Sequence, residues 1–231
     1  METKKFEVLP RHIGFIMDGN GRWAKNQGLK RGEGHIAGAK VFKTIGEYCA
    51  DLGIECVTFY AFSTENWSRP EKEVKSIMKL LDKYLDECEK TLSEYSIRMK
   101  FIGDISKLDQ SLKLKSRRLE EESKDNKLTL CLAINYGGKD EIVNACNKLI
   151  SSGKSNITAD DIASELYTAG VPDPDLIVRT AGEMRLSNFL MWQSAYSEFY
   201  FTDTLWPDMT SEDIDKAVEV FYTRQRRYGK V

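Results

Sequence analysis

The 231-residue sequence has few of the residues that mark a metal centre or a disulfide-stabilised protein. It contains two histidines and five cysteines, and no two cysteines have the C-x-x-C spacing of a zinc site. Most of the cysteines lie inside apolar segments, where cysteine acts as a small hydrophobic side chain. We therefore expect free, buried thiols in a reducing cytoplasm and no zinc centre. The cysteines are Cys49, Cys56, Cys88, Cys131 and Cys146.

An excess of charge of one sign and long apolar runs are also absent. The formal net charge is −2, which argues against nucleic acid as a general partner and restricts any phosphate site to a local patch. No apolar run approaches the roughly 18 residues of a membrane span. The first residues, METKKFEVLPRH, lack the apolar core of a signal peptide. We predict a cytoplasmic protein.

Several nucleotide-binding and catalytic motifs are missing. The sequence has no Walker loop and no G-x-S-x-G nucleophile elbow. GEGHIA, residues 32–37, has the spacing of a dinucleotide-binding loop but does not directly follow a predicted strand. DGNGR begins like a calcium loop but has Leu29 at the position of the closing glutamate. These four classes of site are therefore excluded.

Short apolar runs alternate with helical stretches along the chain. Runs at 12–18, 56–62, 97–103, 128–136, 175–182 and 198–203 predict six strands, most of them apolar on both faces, as in strands buried between helical layers. Helices are predicted over 35–52, 71–95, 138–151, 158–169 and 210–228. Because no linker divides the chain, we predict one α/β domain over residues 1–231. It should have a central, mostly parallel six-stranded sheet flanked by helices.

Polar residues stand where three of these strands end. Asp18 follows the first strand, Ser63–Asn66 follow the second, and Arg179 lies near the end of a later one. In open α/β sheets, ligands bind in the crevice at the carboxyl ends of the strands. The sequence therefore predicts one site that these three segments share.

The loop after the first strand predicts a phosphate site. Gly19, Asn20 and Gly21 expose backbone N–H groups ahead of a helix. A carboxylate does not favour an anion by itself, so Asp18 indicates a divalent cation that bridges it to a diphosphate. The alternative is a tight strand-to-helix turn that Asp18 caps. Further donors for this site are Arg22, Arg31 and His35.

The segment 179–189 supplies a second set of anion-binding groups. Arg179, Arg185 and Ser187 lie close together in the sequence, and two arginines with a hydroxyl suit a second diphosphate. The alternative is a pair of surface cations. Glu198, which opens the next strand, is either a second acid at the metal or a charge at a strand edge.

The segment FSTENWSRP, residues 62–70, has two interpretations. Ser63 to Glu65 fit an ordinary helix cap as well as a binding loop. Trp67 and Arg69 beside Pro70 are less expected in a cap, so we include the segment in the site.

Taken together, these motifs resemble the cis-prenyltransferase family, and most closely its bacterial undecaprenyl diphosphate synthase branch. The resemblance covers nearly the whole chain, with the blocks in the family's order. Two departures are Lys139, where the family often has arginine, and Ala181, at a position that varies. The blocks are HIGFIMDGNGRWA, RGEGHIAGA, FYAFSTENWSRP, NYGGKDEI, PDLIVRTAGEMRLSNFLMWQSAYSEFYFTDTLWPD and RQRRYG.

The resemblance implies a Mg²⁺-dependent transferase that repeatedly condenses isopentenyl diphosphate onto an allylic diphosphate, commonly farnesyl diphosphate, with new cis double bonds. The resemblance favours a long-chain product, undecaprenyl diphosphate for the carrier lipid of the cell wall, and a shorter cis product is the alternative. A hydrophobic tunnel would run from the strand ends under helix 71–95. The family also implies a homodimer, in which Arg227–Tyr228–Gly229 reaches the partner's site, and product release to the inner face of the membrane.

The resemblance further implies roles for individual residues. Asp18 and Asn66 would be catalytic, and Asp18 and Glu198 would hold the metal. Because a neutral amide is a poor base, we expect Asn66 to orient groups rather than accept the proton. Trp23 would pack near the prenyl chain. The implied substrate-binding residues are Gly19, Asn20, Gly21, Arg22, Trp23, Arg31, His35, Ser63, Thr64, Glu65, Trp67, Arg69, Arg179, Arg185, Leu186 and Ser187.

Three alternatives fit the sequence less well. A phosphatase with Asp18 as nucleophile needs a second aspartate where this chain has Asn20. A non-catalytic binding subunit should lack the aspartate or the substrate arginines, which this chain keeps. The trans-prenyltransferases use D-D-x-x-D motifs, and DDIAS at 160–164 lacks the final acid.

Overall fold

The computed structural model describes residues 6–224, apart from the side chains of residues 89, 90, 91 and 93. These residues form one α/β domain. Its strands are β1 (His12–Ile16), β2 (Cys56–Ser63), β3 (Ile97–Ile102), β4 (Leu128–Tyr136), β5 (Leu176–Arg179) and β6 (Glu198–Phe201). Its α-helices are α1 (Asn20–Asn26), α2 (Arg31–Leu52), α3 (Glu71–Glu94), α4 (Gln110–Ser123), α5 (Gly138–Ser151), α6 (Ala159–Glu165) and α7 (Ser211–Thr223).

The six strands form one sheet in the order β3-β4-β2-β1-β5-β6. All of its strand pairings are parallel, so the predicted six-stranded sheet is confirmed and is more uniformly parallel than expected. β1 is buried along its whole length, as expected for a strand covered on both faces. In the sheet, β1 has β2 on one side and β5 on the other. α/β sheets open a ligand-binding crevice at a point where the strand order reverses in this way.

The hydrophobic core lies on both faces of the sheet. On the larger side Phe15 stacks on Phe59 with ring centroids 5.0 Å apart, and Phe42 of α2 packs on Phe59 at 4.2 Å. The next residue of β1, Ile16, faces the opposite cluster with Phe189. All five cysteines are free thiols, and four of them are buried, as expected.

One helix was not predicted, a second was expected without bounds, and a third is shorter than predicted. α4 is absent from the sequence-based prediction, and it buries only a narrow face that includes Leu112 and Leu119. α1 is the helix expected after the loop at Gly19, and it begins at Asn20. The helix predicted over 158–169 ends at Glu165. It ends there because Leu166 has extended backbone and the Tyr167 N–H donates to the buried Glu141 carboxyl at 2.8 Å.

The last α-helix is shorter than predicted. The last predicted helix ends at Thr223, and the predicted Arg227–Tyr228–Gly229 motif lies outside the described residues. Within residues 6–224, no helix is long and apolar enough to cross a membrane.

Candidate active site

The end of β1 brings Asp18 beside the end of β5. Ile16 is in register with Arg179, and Asp18 follows two residues later. The Asp18 N–H donates to Thr180 Oγ1 at 2.9 Å, and the Thr180 hydroxyl donates back to the Asp18 carbonyl at 2.7 Å. These bonds fix the chain direction just where it leaves the sheet.

The turn that follows Asp18 requires a glycine. Gly19 has φ 101°, and a Cβ there would lie 2.9 Å from Leu205 Cδ2, so both the conformation and the space exclude other side chains. The Gly19 N–H donates to Asp18 Oδ1 at 2.8 Å. Gly19 is the N-cap of α1 and no side chain caps that helix, so the alternative role of Asp18 as a helix cap is wrong.

Asp18, Arg179 and Ser187 form what we call the strand-side cluster. The Arg179 side chain is only 3% exposed, and its Nη2 donates to Asp18 Oδ2 at 3.1 Å. Its Nη1 donates to Ser187 Oγ at 2.8 Å and also to the Arg185 carbonyl. The Arg179 Nε is buried without a hydrogen-bond partner. Arg179 as a residue lines the cavity described below, so its buried positive charge favours an anion there.

Arg31, His35 and Arg69 surround one carboxylate, Glu73, in what we call the helix-side cluster. Glu73 Oε1 lies 3.1 Å from Arg31 Nε, 3.0 Å from Arg69 Nη1 and 3.7 Å from His35 Nε2. Burial, followed by the positive charge of Arg69, lowers the pKa of His35. His35 is therefore neutral at pH 7, and its Nε2 has no hydrogen-bond partner.

Both clusters line one cavity of about 620 Å³. Its charged end lies at the carboxyl ends of β1, β2 and β5. Its other end is apolar and lies between α2 and α3, beneath the helix under which the tunnel was expected. The apolar wall is made by Phe42, Ile77, Leu80, Leu81, Tyr84 and Leu132.

Twelve of the predicted site residues line this cavity together. They come from the loop after β1, from α2, from the segment after β2, and from β5 and the loop beyond it. These residues are Asp18, Gly19, Asn20, Gly21, Arg31, His35, Ser63, Glu65, Asn66, Arg69, Arg179 and Ser187.

Asn66 is held in place by its own turn. Its Oδ1 accepts the Ser63 N–H at 3.1 Å, which closes the short 3₁₀ turn Thr64–Ser68 onto the end of β2. A side chain fixed in this way is suited to orient a ligand; its catalytic role stays a prediction.

The structure places two predicted tryptophans outside the cavity lining. The Trp23 indole N–H donates to Asp208 Oδ1 at 2.7 Å, so its ring is held near the turn after Leu205 rather than in the apolar wall. The Trp67 indole donates to Asn135 Oδ1 at 2.7 Å. In both cases a hydrogen bond donated by the indole N–H orients the ring, and the spacing of residues in the sequence does not reveal the acceptor.

Four other predicted substrate-binding residues are also absent from the cavity lining. Arg22 and Arg185 share the Glu183 carboxylate, at 3.4 Å for Arg22. The Thr64 hydroxyl donates to Asp140 at 3.2 Å. The fourth residue is Leu186.

Glu198 does not meet Asp18 within one chain. It opens β6 in register with Leu176, whereas Asp18 lies beyond Ile16, which is level with Arg179. The Asp18 carboxylate therefore lies at the carboxyl ends of the strands, and the Glu198 carboxylate lies at their amino ends. Glu198 forms an ion pair with Arg224 at 2.8 Å. Within one chain Glu198 therefore does not join Asp18 in one site, and its role as a metal ligand stays a prediction.

Sequence reasoning missed Glu73, Asn188 and Tyr60 in the cavity region. Glu73 follows Arg69 by four residues, a spacing typical of helical ion pairs, and this signal was available. Asn188 and Tyr60 gave no such signal. Of the two histidines, His12 is buried in the sheet, where burial lowers its pKa to about 4, and only His35 belongs to the site.

The fold and the cavity together define an α/β enzyme for a long substrate with an anionic head and an apolar tail. A family model described as putative undecaprenyl diphosphate synthase matches residues 16–229. The chain belongs to this family, and it is a prenyltransferase, as its motifs indicated. The phosphatase and trans-prenyltransferase alternatives are thereby excluded.

Curated relatives and solved structures agree with this assignment. The isoprenyl transferases of Fusobacterium nucleatum and Aquifex aeolicus are 50% and 46% identical over 224 residues, which is 96% of this chain and 97% of each relative. Lavandulyl diphosphate synthase from Lavandula x intermedia, solved with dimethylallyl diphosphate, has 34% identity and a TM-score of 0.93. A probable undecaprenyl diphosphate synthase from Campylobacter jejuni has 34% identity and a TM-score of 0.81. Each comparison covers 97% of this chain and 100% of the solved chain.

Proposed function

We propose that this prenyltransferase condenses isopentenyl diphosphate onto an allylic diphosphate, with farnesyl diphosphate as the starter and undecaprenyl diphosphate as the product. The reaction is Mg²⁺-dependent and makes cis double bonds. The observation that supports this proposal is the cavity of about 620 Å³ with a charged end and an apolar end. A growing polyprenyl diphosphate has the same two parts. The allylic diphosphate bound by the Lavandula relative supports this substrate class.

The two clusters divide the two diphosphates between them. The helix-side cluster, Gly19 and the first turn of α1 bind the allylic diphosphate, whose oxygens replace the Glu73 carboxylate as the partner of Arg31 and Arg69. The strand-side cluster binds isopentenyl diphosphate through Arg179 and Ser187. Asp18 lies between the two.

The residues present fit a Mg²⁺ ion that arrives with substrate. Among residues 6–224, no group of three histidine, cysteine or acidic side chains could hold a metal. Asp18, 39% exposed at the cavity, supplies one carboxylate. One or two carboxylates completed by substrate phosphates and water is the usual protein site for this ion. When bound, Mg²⁺ stabilises the negative charge that develops on the departing diphosphate.

The chain's own residues bind, orient and stabilise charge. Arg31, Arg69 and neutral His35 hold the leaving diphosphate, so positive charge and an N–H donor stand where negative charge develops. A carbon–carbon bond forms as the allylic C–O bond breaks, and one proton leaves the isopentenyl unit. Asn66 orients this unit, and the departing diphosphate or a water takes the proton.

We further propose a homodimer that pairs along β6, with the catalytic domain spanning residues 1–231. β6 is an edge strand with half-buried side chains, and Tyr196 just before it is 71% exposed. An edge strand presents unpaired backbone groups that a second copy can satisfy. In such a dimer Glu198 lies at the interface. The enzyme would work in the cytoplasm and release its apolar product at the inner face of the membrane.

The proposal is tested with radiolabelled isopentenyl diphosphate and farnesyl diphosphate, with Mg²⁺ or with a chelator, and with products resolved by chain length. We expect Mg²⁺-dependent extension that ends at the undecaprenyl length. Shorter cis products would overturn the proposed product alone. No incorporation by folded protein with any allylic starter would overturn the proposed reaction.

A further inference from the structure

We infer that Asn188 is a positioning residue that fixes the Ser63–Asn66 segment against the loop that carries Ser187. Asn188 thereby helps to set the distance between Asn66 and Ser187. The inference rests on the proposed function, because both of these residues act there on isopentenyl diphosphate.

Asn188 connects three segments of the chain through three hydrogen bonds. Its carbonyl accepts the Gly138 N–H at 2.7 Å, and its Oδ1 accepts the Lys139 N–H at 2.9 Å. Its Nδ2 donates to Glu65 Oε1 at 3.0 Å. One residue therefore joins the loop after β5, the first turn of α5 and the turn after β2.

The two bonds to α5 replace a missing helix cap. The N-cap of α5 is Gly137, which has no side chain to accept the first N–H groups of the helix. Asn188 supplies those acceptors from a distant part of the chain. Because α5 is a rigid helix, its first turn becomes a fixed support from which Asn188 reaches Glu65.

The close approach at Gly137 shows how tightly these segments converge. A Cβ at this position would lie 2.7 Å from Asn188 Nδ2, 2.7 Å from Thr64 Oγ1 and 2.7 Å from Asp140 Oδ2. The Thr64–Asp140 hydrogen bond is a second link across the same junction. This arrangement gives the NYGGKDEI motif a supporting role beside the cavity.

The backbone of the loop favours asparagine at this position. Ser187 and Asn188 have φ values of 49° and 65°, in the left-handed region. Asparagine is one of the few residues other than glycine that visits this region routinely. Its amide also provides the acceptor and the donor that the Lys139 N–H and the Glu65 carboxylate require.

Asn188 and Glu65 each stand next to a residue of the proposed mechanism in the sequence. Ser187 accepts from Arg179, and Glu65 is followed by Asn66. A loss of the Asn188–Glu65 bond should therefore disturb the approach of isopentenyl diphosphate to Asn66 more than the binding of the allylic substrate.

The test uses four variants of the full chain: Asn188→Asp, Glu65→Gln, the double variant, and Asn147→Asp as a control. Asn188→Asp keeps the acceptor for Lys139 but sets two carboxylates against each other. We expect it to lower kcat/KM for isopentenyl diphosphate about 10- to 100-fold. The double variant restores a donor and an acceptor with reversed polarity, since the amide introduced at position 65 can donate to the carboxylate introduced at position 188. It should recover about tenfold of the loss.

Asn147→Asp is a matched control because it makes the same chemical change at an exposed position of α5, the helix whose first turn Asn188 contacts. It should stay within about twofold of wild type. A merely structural role of Asn188 predicts no rescue by Glu65→Gln. A double variant whose loss equals the product of the two single losses, or wild-type kinetics for Asn188→Asp, would overturn the inference.

A second measurement separates this inference from the proposed function. Amide hydrogen exchange of residues 63–66 should be faster in Asn188→Asp than in wild type or Asn147→Asp, whether or not substrate turns over. If wild type shows no incorporation, the proposed function fails. If exchange at residues 63–66 is unchanged in Asn188→Asp, the positioning role fails.

Discussion

The helix-side cluster and the strand-side cluster face the same cavity but hold their cations differently. In the helix-side cluster, Arg31 is 60% exposed and shares Glu73 with two other basic side chains. In the strand-side cluster, Arg179 is 3% exposed and is fixed by Asp18, Ser187 and a backbone carbonyl. The first set is held by one half-buried carboxylate on a helix, and the second by the ends of strands and their loops.

This difference indicates different tasks for the two clusters. Glu73 is the shared partner of Arg31 and Arg69, and a diphosphate offers the same arginines more acceptor oxygens and more charge, so it can take the place of that carboxylate. A buried guanidinium held by several partners is already oriented before a ligand arrives, which lowers the cost of binding. In the proposed reaction the allylic substrate changes length in every cycle, whereas isopentenyl diphosphate is the same each time. The adjustable cluster suits the first and the fixed cluster suits the second.

The largest expected effect is at the residue between the clusters. Asp18→Ala should lower kcat at least about a thousandfold, because it removes the carboxylate that fits the metal and orients Arg179. Asp18→Asn, which keeps the shape and an acceptor for Arg179, should lose a similar factor. Steady-state rates and thermal unfolding of both variants check this prediction. A near-wild-type rate in either folded variant would rule out Asp18 as the metal ligand.

The next prediction compares the two clusters directly. Arg179→Ala should raise KM for isopentenyl diphosphate about 10- to 100-fold with a smaller change for the allylic substrate, since charge-assisted bonds contribute about 1.5–3 kcal/mol. Arg31→Ala should show the reverse preference, with a smaller factor because Arg31 is exposed. Both Michaelis constants are measured for both variants. Equal effects on the two substrates would contradict the division of tasks between the clusters.

The parts of this site that the sequence predicted are those that parallel topology places together. The apolar runs predicted the strands. The carboxyl ends of parallel strands lie at the same end of the sheet, so Asp18, Asn66 and Arg179 could be predicted to meet. The same rule separates Glu198 from Asp18 within one chain, because Glu198 starts its strand. The role of Glu198 at the metal came from the resemblance, which does not tell which residues meet within one chain.

What could not be predicted depends on side-chain partners far away in the sequence. Trp23 and Trp67 are oriented by Asp208 and Asn135, and no local pattern encodes those hydrogen bonds. α4 was missed because its apolar face is narrow and half of its residues are charged. Asn188 was missed because its importance lies in three contacts that exist only after folding.

A change at the apolar end should leave both clusters unaffected. Leu81→Trp fills part of the cavity wall between α2 and α3, so long products should fit less well. We expect a shorter product distribution, with both Michaelis constants within about threefold of wild type, because neither charged cluster contacts the added ring. Product analysis by chain length is the measurement. Unchanged product lengths would show that the growing chain does not occupy this end.

The smallest expected effect concerns His35, the one titratable base of the helix-side cluster near neutral pH. Burial and Arg69 lower its pKa, so His35 is neutral above its ordinary pKa of about 6.5 and stays neutral somewhat below it. His35→Gln keeps a neutral N–H donor. The ratio of the allylic KM values of variant and wild type should therefore change by less than about twofold between pH 8 and pH 6.5.

The sign of the stability effect follows from the same lowered pKa. In the pH window below 6.5 and above the lowered pKa, the unfolded chain binds more protons at His35 than the native protein does, so stability falls as the pH falls. His35→Gln should show a shallower loss of stability in this window, measured by denaturant unfolding at several pH values. A steep rise of the KM ratio on acidification, without that change in the stability profile, would mean that His35 binds diphosphate as a cation. The helix-side cluster would then carry three charges toward its substrate instead of two.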